Sequence, residues 1–165
     1  MATPTNLPAA QTTGNVLTAA YMNDLRGAFR ILQVVESAND TTLRSTTSAT
    51  FSDSGLTLTI TPQASTNKIL CGYFVNGYAS AATTGMGIRL LRGASTNVVT
   101  DLDNGYGSAS GNAYNTMFYY IDSPATTSAV TYKIQYNRNQ GTGTVYMNAA
   151  GAGTNSRFFA MEISL

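Results

Sequence analysis

The sequence has no histidine and a single cysteine, Cys71. It therefore cannot form an intrachain disulfide, a metal site built from histidine or paired cysteines, or a Ser-His-Asp or Cys-His catalytic centre. Because Cys71 lies within an apolar run, we expect it to be a buried small hydrophobic residue rather than a reactive thiol.

Charged residues and long apolar runs are also scarce. Charged side chains make up 10% of the chain, against about 25% in an average soluble domain. The net charge is +1 and there is no basic cluster, so we expect no nucleic-acid partner. No apolar run approaches the roughly 18 residues that cross a bilayer, and Met1–Leu7 lacks the basic start and apolar core of a signal peptide. We therefore expect no membrane partner and no secretion by that route.

From Ile31 onward, apolar and polar residues alternate with a period of two, which predicts β-strands. In the clearest case Leu56, Leu58 and Ile60 alternate with threonines as far as Pro62. Further strands are predicted at Ile31–Glu36, Lys68–Tyr78, Met86–Arg92, Asn97–Leu102, Tyr114–Asp122, Val130–Asn137, Gly143–Met147 and Phe158–Ser164. Clusters of Gly, Asn, Ser and Thr separate these strands, among them Asp53-Ser54-Gly55, Asp103-Asn104-Gly105 and Gln140-Gly141-Thr142-Gly143. No helix is predicted between the strands. The 165-residue chain is thus predicted to be all-β, with one jelly-roll-like β-sandwich.

An extended arm and one short helix are predicted to precede the sandwich. Met1–Asn15 is rich in Pro, Thr, Asn and Ala and shows no periodicity, which is typical of a segment that does not fold by itself. Thr18 then resembles the N-cap of a helix over Ala19–Arg30. We divide the chain accordingly into an arm and helix, residues 1–33, and a sandwich domain, residues 34–165.

Apolar residues in the helical region are spaced as in a short coiled-coil seam. Met22, Leu25, Phe29 and Leu32 lie 3, 4 and 3 residues apart, which corresponds to a and d positions. Two heptads are too short to hold an oligomer alone. The seam either packs against its own domain, or helps to organise a homo-oligomer or attach the chain to a partner.

The carboxylates offer little for catalysis or metal binding. Asp101 and Asp103 form the only close pair, but their surroundings lack the glycine position and the downstream glutamate of a calcium loop. A turn closed by Asn104-Gly105 explains this stretch more simply. Glu162 alternates out of the last strand and is predicted to be solvated. We expect no enzyme activity, no metal and no cofactor.

The segment 103–115 has the composition of an adaptable contact loop. It is rich in Tyr, Ser, Gly and Asn, the mixture that antibody loops use for contact area and hydrogen bonding. Tyr106, Asn112 and Tyr114 are the candidate ligand-binding residues. The alternative is a permissive loop that binds nothing.

A series of short strings along the strands occurs in a recognisable order. The strings are Ile31–Val35, Gly55–Pro62, Ser65–Leu70, Arg89–Gly93, Asp122–Ser128, Thr131–Gln135 and Met161–Ile163. In this order they resemble the β-rich virion domain of tailed bacteriophages from aquatic environments, usually labelled tail-fibre-like or structural. Gly14–Ala20, with Asn23 and Leu25-Arg26, similarly resembles the attachment segment at the start of phage virion proteins.

This resemblance implies a non-enzymatic structural protein on the surface of a phage particle, made in the cytoplasm of the host bacterium. It also implies a homotrimer whose residues 1–33 attach to other virion proteins. A short fibre or spike that contacts a glycan or protein of the host surface is the leading interpretation, because the chain has no long repetitive shaft. A capsid decoration protein is the first alternative, and a free carbohydrate-binding module is the second.

Overall fold

The computed structural model describes residues 14, 16, 18, 22, 31–106, 112–148 and 155–164. Within these residues, ten strands form two antiparallel sheets that pack as a sandwich. The strands are β1 (Ile31–Glu36), β2 (Arg44–Thr46), β3 (Ser52–Ile60), β4 (Lys68–Ala79), β5 (Gly85–Arg92), β6 (Thr96–Tyr106), β7 (Asn112–Asp122), β8 (Val130–Gln140), β9 (Val145–Met147) and β10 (Arg157–Ile163).

The two sheets differ in their organisation. The front sheet has the order β1-β10-β4-β9-β2, and β7 pairs with β4 as well. Along one edge of β4, β10 pairs with Lys68–Phe74 and β9 with Gly77–Ala79. Because β7 pairs with Ile69–Ala79 over the same stretch, it occupies the opposite edge of β4. The back sheet has the order β3-β8-β5-β6.

The core lies between the sheets and is built by the period-two pattern. Alternate residues of each strand point inward, so Leu56, Leu58 and Ile60 of β3 meet Tyr73 and Val75 of β4 in one buried cluster. Cys71 belongs to the same cluster and is fully buried, which confirms its expected role. Burial, and then the nearby Asp122 carboxylate, raise the pKa of its thiol, so it stays protonated and unreactive.

The all-β sandwich predicted from the alternation is confirmed, and the observed strands follow the predicted ones closely. The sequence missed β2, which has only three residues and no readable period. Two predicted separators are wrong. Asp53-Ser54-Gly55 lies inside β3, where the pairing with β8 shifts register and Gly55 takes a φ of 85°. Asp103-Asn104-Gly105 continues β6 beside β5 instead of closing a turn.

Glu162 corrects another expectation, because it is fully buried instead of solvated. The alternation of β10 places it on the inner side together with Phe158 and Ala160. Its carboxylate accepts hydrogen bonds from Gln33 Nε2 at 2.6 Å, Asn67 Nδ2 at 2.6 Å and the backbone N–H of Gln63 at 2.7 Å. Burial alone would raise the pKa of Glu162, but these hydrogen bonds outweigh burial and lower it. The carboxylate thereby ties β1 and the β3–β4 connection to β10.

Substituting Glu162→Gln should lower the free energy of unfolding by about 2 kcal/mol at pH 7, since the new amide faces the donors of Gln33 and Asn67. The pKa of Glu162 is lower in the folded chain than its ordinary value of 4.5. Its stabilising contribution is therefore complete above about pH 5 and disappears as the pH falls through the folded pKa. Urea unfolding at several pH values should show the difference between variant and wild type shrinking in acid. Glu36→Gln, at an exposed position of β1, is the matched control and should change stability by less than about 0.5 kcal/mol.

Candidate interaction surface

The outer face of the front sheet carries apolar side chains from four adjacent strands. Residues directly opposite in an antiparallel pair point to the same side of the sheet. The registers therefore align Val34 of β1, Met161 of β10, Leu70 of β4 and Ile121 of β7 in one row across the sheet. All four are apolar.

The neighbouring rows extend this surface. In the second row Phe159 of β10 is opposite Gly72 of β4, which is opposite Tyr119 of β7. In the third, Phe74 of β4 is opposite Met117 of β7. The charged residues of these two rows are Glu36 and Arg157, at their β1 and β10 ends. On the other side of the first row, Lys68 of β4 adds a charge next to Leu70. We define the apolar face as the uncharged residues of these three rows, which are Val34, Leu70, Gly72, Phe74, Met117, Tyr119, Ile121, Phe159 and Met161.

Much of the apolar face is accessible to solvent. Met117 is 70% exposed, Tyr119 77%, Ile121 53% and Val34 50%. At about 4.8 Å between strands and about 6.6 Å between successive outward residues of a strand, the nine residues cover about 300 Å². The largest apolar patch of a typical soluble chain has about this size and is often functional.

The centre of the face is shaped by a glycine. A Cβ atom at Gly72 would lie closer than 3.0 Å to the ring of Phe159, so the ring lies directly across the glycine backbone. The ring covers the backbone at this point and keeps the middle of the face low and apolar. Tyr119 stands beside this low centre on the neighbouring strand.

The outer side of the back sheet has the opposite character. Thr59 and Thr131 share a hydrogen bond of 2.8 Å between β3 and β8. Farther along these strands, Gln135 receives a hydrogen bond from Arg89 Nε at 2.8 Å and donates one to Asp53. The Gln135 hydrogen bond first, and the Lys133 ammonium at 3.2 Å second, hold the pKa of Asp53 below its usual range against a partial burial effect. The outer side of the back sheet is thus mainly polar, and that of the front sheet is mainly apolar.

Strand β7, at the edge of the apolar face, is fixed to the sandwich from its inner side. Phe118 stacks on Tyr73 with ring centroids 6.0 Å apart. At the end of the strand, the buried Asp122 carboxylate accepts two hydrogen bonds from Arg92 Nη1, at 2.8 and 2.9 Å, and one from Tyr132 Oη at 2.6 Å. Arg92 and Tyr132 belong to the back sheet. Inward contacts therefore hold β7, and its outward Met117, Tyr119 and Ile121 lie exposed to solvent.

Of the predicted seam residues, two lie among the described residues. Met22 is helical and 43% exposed, and its backbone N–H donates to the carbonyl of Thr18 at 3.0 Å. Leu32 lies in β1 and is half-buried, because pairing with β10 draws this part of the chain into the sheet. It therefore does not continue a helix. Leu25 and Phe29 lie outside the described residues, as does most of the arm, and the oligomerisation or attachment role of the seam stays a prediction.

The candidate contact loop is shorter than predicted, because β6 and β7 extend into it. Tyr106 ends β6 opposite Gly85, and Asn112 and Tyr114 lie in β7 opposite Ala79 and Gly77. Residues 107–111 between them, and the side chains of these three candidates, lie outside the described part. Ligand binding by this segment stays a prediction.

Two features of the described part of the chain bear on metal and small-molecule binding. It contains no group of three or more Cys, Asp and Glu side chains placed to hold a metal ion. A depression of about 160 Å³ opens at the register shift of β3, lined in part by Asp53, Leu56 and Lys133. This volume is below the roughly 300 Å³ at which ligand pockets begin. No helix within the described ranges is long and apolar enough for a membrane span.

Comparison with known proteins gives distant likenesses only. No family model matches the chain, and no curated protein matches it. A structure of the Gx strain of infectious bursal disease virus is similar over 80% of this chain and 36% of its own, with 14% identity and a TM-score of 0.35. The VP2 subviral particle of infectious bursal disease virus is similar over 81% of this chain and 38% of its own, with 16% identity and a TM-score of 0.34. This chain thus spans little more than a third of the length of either.

Sequence reasoning missed the apolar face, although two signals pointed to it. Residues 117–121 and 158–161 are continuous hydrophobic runs instead of alternating ones. A continuous run indicates a strand with apolar side chains on both sides. Only the registers show that β7, β4 and β10 are neighbours and that their outward residues join.

Replacing Met117 and Tyr119 together by threonine should remove much of the accessible apolar face without unfolding the sandwich. Both side chains are mostly exposed, and threonine suits a strand, so the free energy of unfolding should change by less than about 1 kcal/mol. Binding of the fluorescent dye ANS should fall by at least half. Leu43→Thr, at a 60% exposed position between β1 and β2, is the matched control and should leave dye binding nearly unchanged. Equal loss of fluorescence in both variants would contradict the assignment of the face.

Proposed function

We propose that this chain is a non-enzymatic structural protein of a virus particle, and that it assembles by packing its apolar face against protein. The observation that carries the proposal is the contrast between the two exteriors of the sandwich. The back sheet carries mainly polar, hydrogen-bonded residues on its outer side, whereas the front sheet carries a row of four apolar residues and two further largely apolar rows.

The size of the apolar face suits an assembly with many contacts. Burying about 300 Å² at about 25 cal/mol per Å² contributes about 7.5 kcal/mol before the cost of association is subtracted. That cost is of similar magnitude, so one contact of this kind is marginal. In a particle, the same contact is repeated and linked to others, and the combined interaction becomes stable.

The finer assignment is a tailed bacteriophage and a short fibre or spike, trimeric and attached through residues 1–33. It is supported by the ordered strings from Ile31–Val35 to Met161–Ile163 and by the attachment-like Gly14–Ala20. A capsid decoration protein is the alternative within the same class. In either case the polar back sheet is the side that would face the medium.

Quantitative mass spectrometry on purified particles of the virus that encodes this chain tests the proposal. The chain should be present in intact particles, and its copy number should be compared with that of the major capsid protein. A ratio near one indicates decoration of the capsid, and a ratio of a few per cent or less indicates a fibre or spike. Absence from the particles would contradict the proposal and favour a free carbohydrate-binding module.

The seam is tested in the full chain by the double variant Leu25→Asp and Phe29→Asp. If the seam attaches the chain to the particle, the variant should lose at least nine-tenths of its association with particles that lack the native protein. Its thermal unfolding should match that of wild type, because the sandwich begins at Ile31. Asn23→Asp adds a charge off the seam and is the control. Unchanged association of the double variant would contradict attachment through this segment, and light scattering on the same samples checks the proposed trimer.

A further inference from the structure

We propose that β7 pairs with the β7 strand of a second copy of this chain, antiparallel across a two-fold axis. The two front sheets would then become one continuous sheet, with their apolar faces side by side. The inference rests on the proposed function, in which the chain assembles with protein through its front sheet. It adds a second contact, at the edge of that sheet, which leaves the two apolar faces side by side as one larger surface for packing.

The outer edge of β7 is long and regular. The strand has eleven residues and pairs with β4 from Asn112 to Asp122 without a register shift. No described strand pairs with its other edge. Its backbone therefore presents a row of hydrogen-bonding groups in the geometry that another strand requires.

β7 also lacks the residues that normally protect a sheet edge. Its sequence contains no proline, lysine, arginine or glutamate. Its one charged residue, Asp122, is buried and bound to Arg92 and Tyr132, so it does not guard the edge. Soluble proteins usually place charges, prolines or bulges at exposed edges to prevent association.

The other described edges do carry such devices. β1 has a register shift against β10 and ends at Glu36. β2 is three residues long and begins at Arg44. In the back sheet, β3 is interrupted by a register shift, and β6 has several shifts against β5 and contains two aspartates. Since the chain protects these edges, the unprotected β7 indicates an edge that is covered in the assembled state.

A second copy can pair with this edge because two identical β7 strands would not repel each other. A two-fold contact places the same surface on both sides, so a charged strand would repel its copy. The outward residues of β7 include Asn115, Met117, Tyr119 and Ile121, which carry no charge. Antiparallel pairing brings these uncharged, mostly apolar residues of the two copies together on one side of the joined sheet.

The first test measures the mass of the full chain in solution by light scattering at micromolar concentration. Wild type should have the mass of an even number of 17.4 kDa chains: two, or six where the proposed trimer also forms. Met117→Lys combined with Tyr119→Lys should halve the mass, because like charges would meet across the pairing, and should leave thermal unfolding unchanged at these exposed positions. Thr131→Lys, at an exposed position of the back sheet, is the control for added charge and should keep the wild-type mass.

The second test locates the contact by disulfide formation. Cys71 is buried, so an introduced cysteine supplies the reactive thiol. Cysteine at position 117 or 119, alone or in a mixture of the two variants, should form an intermolecular disulfide under mild oxidation, since paired residues bring their Cβ atoms to about 5 Å. Val34→Cys, at the other end of the same row, should not.

Three outcomes would overturn the inference: a monomeric or trimeric wild type, a wild-type mass retained by the double lysine variant, or equally fast disulfide formation by Val34→Cys. The last would indicate that the apolar faces stack on each other instead of joining edge to edge. Each of these results leaves the copy number in particles unaffected, so the inference can fail while the proposed function stands. Absence from particles combined with a β7 disulfide would contradict the proposed function and support the pairing of β7.

Discussion

Strand β4 is the element on which the front sheet depends, because it is paired along both edges. β10 and β9 share one edge of it, and β7 follows the other for eleven residues. Its inward residues enter the core, and its outward Leu70 and Phe74 join the apolar face. β4 therefore contributes side chains both to the core of the sandwich and to its apolar face. A change in its register by one residue would exchange these two sets.

Two buried carboxylates fix the front sheet in place, in a chain with few charges. Glu162 holds β1 and the β3–β4 connection to β10, and Asp122 holds β7 to the back sheet through Arg92 and Tyr132. Buried charges are tolerated only when their hydrogen-bonding capacity is satisfied, as it is at both sites. The apolar face thus lies between two edge strands that are each held by an inward-facing acid.

Local pattern was enough to predict the sandwich and most of its strands, because alternation with a period of two directly reflects one buried side. It was insufficient where the burial or conformation of a residue depends on segments that are distant in sequence. The partners of Glu162 lie 95 to 129 residues away, so nothing near it in sequence shows that a carboxylate can be buried there. Leu32 fits a helical spacing, yet pairing with β10 places it in a strand. The apolar face likewise depends on the registers between neighbouring strands, which cannot be read from the sequence of any single strand.

The contact between Phe159 and Gly72 restricts how the apolar face can change over evolution. A side chain at position 72 would force the ring of Phe159 to move aside, whereas a smaller residue at position 159 would uncover the glycine backbone. Each single substitution would therefore reshape the centre of the apolar face, and a paired change could keep it covered. The two positions should behave as one inherited unit, so that descendants of this chain that acquire a differently shaped face do so by changing both.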